Sequence, residues 1–282
     1  MTKEDSHILN AEARWLTLSN TDRPATETDH IQKAWDRLVT KNYEAMIFSE
    51  AKSDVDRARL LAASSPHSGD WLLAAPIPAI GLKLSDETVR VSVAHRLGCK
   101  ACEPHTCVCG KEVDARGLHG LACRMSTPRH QRHNQMNDII WRAIKRADMP
   151  AAKEPVGLIR QDGKRPDGVT LIPWARGKPM AWDVTIPDTF AESHLHETAI
   201  TREAAANQAA MNKITKYAEL SHTHIFFPVA IETSGSWHLT AVELVQEIDK
   251  RMTVVTEDSR ETSCLLPTTL HSSAEGKCGL LP

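Results

Sequence analysis

The chain has 282 residues, 34 Lys and Arg against 36 Asp and Glu, and 41% hydrophobic residues. A formal charge of −2 excludes a bulk polycation that holds nucleic acid by net charge alone. A charged share of 25% excludes disorder along the whole length, no apolar run is long enough to span a membrane, and no apolar segment follows Met1 to suggest a secretory signal.

Residues 1–50 read as polar and helix-prone. Ile31, Ala34, Trp35, Leu38 and Val39 recur with helical spacing, and Trp15-Leu16 suggests a second apolar contact. A short helix is expected over 50–64, carrying Val55, Ala58, Leu60 and Leu61. A Ser/Pro/Gly turn cluster follows at 64–70, and then a Pro-interrupted apolar connector, Trp71 to Pro78. Ser85 is placed to cap a helix whose first turn holds Asp86 and Glu87 and which carries Val89, Val91, Val93 and Leu97 toward a cysteine cluster.

Five of the seven cysteines lie between Cys99 and Cys123. An odd count with no visible signal argues against a disulfide framework. Cys107, Cys109, His119 and Cys123 form C-x-C-x9-H-x3-C. Three thiolates and one imidazole suit tetrahedral zinc with no open coordination position, and Gly110 allows the tight turn behind the second thiolate. Cys99, Cys102 and His105 could form a second set, with His95 as the available fourth ligand.

A clear helix follows, with Met136, Ile139, Ile140, Ala143, Ile144 and Ala147 on one face. Strands are expected at 155–159, 169–172 and 180–186, a long helix over 193–220, a strand at 225–231 that Pro228 puts at an edge or bulge, and a last amphipathic helix over 240–252. From 256 onward the composition suggests disorder. This order implies an α/β domain over 126–255.

Asp167 precedes one strand and Asp183 lies within the next, so the two can face each other at one sheet end and hold Mg²⁺ through carboxylate oxygens. Asp183 interrupts an otherwise apolar strand, where an unpaired carboxylate is costly, so either function or a salt bridge is implied. Between 124 and 165 stand ten Lys or Arg against four Asp or Glu, a local balance of +6 that suits phosphate contact.

Taken in order, the knuckle, the basic helix, Arg165-Pro166-Asp167, fifteen residues, Asp183, and Lys213-Ile214-Thr215-Lys216-Tyr217 resemble the CCHC knuckle and restriction-like, PD-(D/E)xK-type endonuclease region of non-LTR retrotransposon reverse-transcriptase reading frames. The resemblance spans roughly 90–250. It implies a mixed sheet flanked by helices, preceded by a small zinc knuckle (91–125) and a helical linker segment (1–90). It implies Mg²⁺-dependent DNA nicking, with Asp167 and Asp183 as metal carboxylates, Lys213 and Lys216 as the catalytic lysines, and Glu154 as a third acid. Arg132, His133, Arg142, Lys145, Arg146 and Arg165 become DNA-contact candidates, element RNA a further partner, and the nucleus the expected compartment. Thr185 stands where the motif's lysine usually sits, and no Tyr/Phe-x-Asp-Asp polymerase motif is present. A fragment or decayed copy is therefore expected, and a non-catalytic zinc-dependent nucleic-acid-binding remnant is the rival reading.

Overall fold

Four strands form the central sheet of a computed structural model that describes residues 3–24, 31–73, 83–123, 125 and 127–257. They are β3 (Ala151–Lys153), β4 (Gly168–Thr170), β5 (Met180–Thr185) and β6 (Ile225–Ala230), in the order β3-β4-β5-β6. The first three are antiparallel, whereas β5 and β6 run parallel from Met180↔Ile225 to Thr185↔Ala230. The protein is thus α/β with a mixed sheet. A small hairpin, β1 (His105–Thr106) and β2 (Glu112–Val113), lies ahead of it in the chain.

By contact density the chain divides into Met1–Ser53 and Asp54–Pro282. The first unit is a pair of helices, α1 (Lys3–Ser19) and α2 (Gln32–Glu50). Trp15 and Trp35 meet edge-on at 4.7 Å, and the Trp15 indole N–H donates to the Trp35 carbonyl at 3.2 Å.

In the second unit, α3 (Asp54–Ala63) and α4 (Asp86–Leu97) precede the hairpin, and short α5 (His119–Ala122) follows it. Ser85 caps α4, accepting from the Thr88 backbone N–H at 3.2 Å. The buried face of α4 is Thr88, Val91, Ser92, Ala94 and His95, while Val89 and Leu97 are exposed.

The sheet is covered on both faces. On one side lie α6 (Thr127–Arg146) and α9 (Leu239–Thr256), whose Met136, Ile140, Ile144, Leu244 and Ile248 pack on Met180, Trp182, Val184 and Val229. On the other lies α8 (Ala204–Lys216), whose Ala206 and Ala210 pack on Ala230. Two-residue alternation therefore sends Met180, Trp182 and Val184 toward α6 and α9, and Ala181 and Asp183 toward α8. Burial from both sides explains why β5 reads as an almost continuous apolar run.

Several expected boundaries shift. The strand expected at 155–159 is a 3-10 turn (Val156–Leu158), and the strand precedes it at β3. Pro155 lacks an N–H for a ladder and Glu154 has a left-handed φ of 48°, so the strand ends there. The long helix expected over 193–220 is three pieces: α7 (Leu195–Thr198), α8 and a 3-10 turn (Ala218–His222). Glu203 at φ 56° breaks it before α8. Pro228 does lie on an edge strand. Pro76 to Pro78, Arg124 and the tail carrying Cys264 and Cys278 lie outside the described residues.

Candidate metal and acid sites

Cys107, Cys109, His119 and Cys123 converge from the β1–β2 turn and α5. One ligand atom from each lies within 4.8 Å of the others. Cys107 Sγ and Cys123 Sγ are 3.8 Å apart, and Cys109 Sγ is 3.1 Å from His119 Nε2. Tetrahedral zinc with Zn–S bonds of 2.3 Å sets sulfurs about 3.8 Å apart, so the donor set fits. A backbone hydrogen bond from Lys111 and contacts with neighbouring thiols hold the Cys109 thiol down to about 7, nearer the thiolate a metal requires. The four residues could hold a metal ion such as zinc. Among the described residues, Cys99, Cys102 and His105 do not join a comparable group. The Cys102 thiol instead donates to the Asp114 carbonyl, and His105 Nδ1 lies 2.9 Å from the Glu103 carbonyl.

The acids meet at the β4–β5 edge. Gly168 pairs with Trp182 and Val169 with Ala181. Continuing that register one step sets Asp167 opposite Asp183. Asp167 Oδ2 accepts from the Val184 N–H at 2.6 Å and lies 3.1 Å from His133 Nε2. A Cβ at Gly168 would collide with the Trp182 indole. The glycine thus permits the close strand approach that aligns the acids.

Asp183 is 3% exposed. Burial, and then the neighbouring charge of Asp167, push its pKa above the usual carboxylate range, while Lys213 pulls it back. Lys213 Nζ donates to Asp183 Oδ1 at 2.6 Å, and Lys216 Nζ lies 4.0 Å from Oδ2. The small inner face of α8 (Ala206, Ala210) lets the helix approach the sheet closely, and its last turn brings both lysines over the acid.

Tyr217 completes this corner. Its hydroxyl donates to the Arg165 carbonyl and accepts from Lys216 Nζ, each at 2.7 Å. It therefore ties the segment leading into Asp167 to the end of α8. Burial, and next the adjacent Asp183, push its phenol pKa upward.

The remaining candidates separate. His133 belongs to the acid cluster; its hydrogen bond to Asp167 raises its pKa. Helical spacing from His133 to the inward-facing Met136, Asn137 and Ile140 carries that signal in the sequence, but a basic-helix reading obscures it. Arg132 is a correction: at 1% exposure, donating to the Leu121 carbonyl at 2.9 Å, it is not available to a phosphate backbone. Glu154 is two-thirds exposed at its side chain and ion-pairs with Arg165. Arg142, Lys145 and Arg146 lie exposed along α6. Arg142 pairs with Asp138, and the Lys145 ammonium sits 4.6 Å over the Trp141 ring.

Among the described residues, no helix is long and apolar enough to cross a membrane. No family model matches the chain, and no curated protein matches it.

Proposed function

We propose that this chain is a DNA endonuclease module, nicking phosphodiesters with Mg²⁺, built on a zinc knuckle and a restriction-like sheet of the kind found in non-LTR retrotransposons. The observation that carries the reading is the buried Asp183 set beside Asp167 and hydrogen-bonded to Lys213 at 2.6 Å. Two carboxylates at one strand edge and an amine from the next helix form a hard-oxygen donor set beside a cation.

The acids fit a divalent cation because the charge of Asp167 disfavours ionisation of the buried Asp183, and a cation would relieve that repulsion. Asp167 and Asp183 would hold Mg²⁺, which when bound supplies Lewis-acid polarisation of the phosphodiester and lowers the pKa of a bound water. Lys213 steadies negative charge developing on the scissile phosphate, with Lys216 behind it. His133, 3.1 Å from Asp167 Oδ2, orients that carboxylate, and the exposed cations of α6 hold the DNA backbone. Zinc on Cys107, Cys109, His119 and Cys123 fixes the knuckle, which is too small to bury a core of its own. Element RNA is a second nucleic-acid partner of the same basic face, and the nucleus is the compartment this role requires.

Supercoiled plasmid with Mg²⁺ tests the reading. Wild-type protein is expected to convert it to the nicked circle, and Asp183→Ala to leave it intact while still retarding DNA in a gel. The rival, a non-catalytic zinc-dependent nucleic-acid-binding remnant, draws on Thr185 at the usual lysine position and on acids that already have internal partners. DNA retardation with no nicking by the wild type would select it.

A further inference from the structure

A cleft of about 390 Å³, counting the space that opens to solvent, lies away from the acid cluster, between α3, α4, the knuckle helix and the loop after β6. Its polar wall is Arg59 from α3, Ser92, His95 and Arg96 from one face of α4, and Ser234 from the loop. Positions 92, 95 and 96 are related by i, i+3 and i+4, so the helix presents all three together.

The charges here are unbalanced. Arg96 donates to the Ala63 carbonyl at 2.7 Å and the Ser68 carbonyl at 3.1 Å, both neutral acceptors. Among the described residues no carboxylate pairs with it, and burial lowers its pKa. Arg59 donates to the Arg96 carbonyl at 2.9 Å and has Asp56 only at 3.9 Å. Asp56 is itself held by Arg116 at 2.9 Å. Among the described residues no Asp or Glu lines the cleft.

A second observation points to a ligand. Ser92 is 2% exposed, and its hydroxyl has no hydrogen-bond partner among the described residues. A buried hydroxyl without a partner costs free energy that a bound acceptor would recover. Gly98 contributes to the geometry: at φ 73°, a Cβ there would meet Arg59 Nε at 2.6 Å, so only glycine leaves that guanidinium room beside the cleft.

We propose that this cleft is a second binding site, taking one phosphate-type oxyanion between Arg59, Arg96 and the Ser92 hydroxyl. The forked N–H groups of arginine match the oxygen spacing of phosphate, and a hydroxyl supplies the additional donor. The site is independent of the acids, so it stands or falls apart from the nuclease reading.

The test is titration of the full chain with inorganic phosphate, followed by ³¹P line broadening and calorimetry, with chloride at matched ionic strength as reference. Saturable one-to-one binding is expected, weakened about tenfold in Ser92→Ala, the loss that about 1.4 kcal/mol implies. Arg96→Gln should weaken it further; because Arg96 also ties down Ala63 and Ser68, the Ser92→Ala result decides if that variant does not fold. A parallel titration with a short unphosphorylated oligonucleotide identifies the source. Binding of inorganic phosphate assigns a free or terminal phosphate. Oligonucleotide binding that Ser92→Ala weakens, without inorganic phosphate binding, assigns a backbone phosphodiester. Absence of saturable binding by either probe, or binding that Ser92→Ala and Arg59→Gln both leave unchanged, overturns the proposal.

Discussion

Lys213 Nζ donates to Asp183 Oδ1 at 2.6 Å, although the acid lies within the sheet and the lysine in the last turn of a helix laid across it. The lysine offsets a carboxylate that burial disfavours. Removing one partner of a buried pair leaves an uncompensated charge and typically costs about 3–5 kcal/mol.

Lys213→Met should therefore destabilise the protein, and more at about pH 8 than at about pH 5. Burial already raises the folded pKa of Asp183, and losing Lys213 raises it further. As pH climbs from the ordinary carboxylate range through that raised value, the unfolded chain ionises first and stability falls. Urea unfolding midpoints at the two pH values measure the difference; equal losses would contradict the assignment.

Among the described residues, Asp249 has no such partner. It is 2% exposed, its Oδ1 lacks a hydrogen bond among the described residues, and burial pushes its pKa up to about 7. Below the usual carboxylate range both folded and unfolded states are protonated and no penalty arises. As pH rises toward 7 the unfolded state ionises first, so stability is lost across that window and then levels off. Asp249→Asn should flatten this profile and raise neutral-pH stability by up to about 4 kcal/mol. Thermal unfolding followed across that range would show an unchanged slope if another group were responsible.

Glu232 stands at the end of β6, 1% exposed, and accepts from the backbone N–H groups of Ala205 and Ala206 at 3.0 and 3.2 Å and from the Thr189 hydroxyl at 2.9 Å. It caps α8 from outside the helix, because Glu203 at the N-cap offers no side-chain bond. Glu232→Ala should cost about 2–3 kcal/mol by orphaning these donors, and Glu232→Gln, which keeps an acceptor, distinctly less. Equal losses in denaturant unfolding would exclude capping as the cause.

Metal removal should act locally. Purified protein is expected to carry one zinc per chain, and Cys109→Ser to lose most of it. A chelator should abolish amide protection around 105–123 while leaving the β5–β6 ladder protected, because the hydrophobic cluster holds the sheet without contributions from Cys107, Cys109, His119 or Cys123. Elemental analysis and hydrogen exchange measure the two effects.

Readability of the sequence was uneven, and the reasons are local. The Ser85 cap and the inner faces of α6 and α9 follow from short-range chemistry that a linear chain displays. The cluster of Cys107, Cys109, His119 and Cys123 is equally visible because metal-ligand spacing is a local constraint. Asp183 stood out because a carboxylate inside an apolar strand requires a partner, and the partner proved to be a lysine thirty residues on. The burial of Arg132 could not be read from the sequence, because charge alone does not reveal which face of a helix turns inward. Tyr217 follows the two lysines directly in the sequence, but its bond to the Arg165 carbonyl depends on how a distant loop folds back.

The cap on α8 has a mechanical consequence. The helix is pinned in its first turn at Ala205 by Glu232 and carries Lys213 eight residues further along, about 12 Å at 1.5 Å per residue. It behaves as a cantilever: a tilt of about 5° at the pinned end would swing the free end by roughly 1 Å. A shift of that size converts a close ion pair into a loose one. Changes near Glu232, remote from the acids, would therefore be felt as a detuned lysine at Asp183.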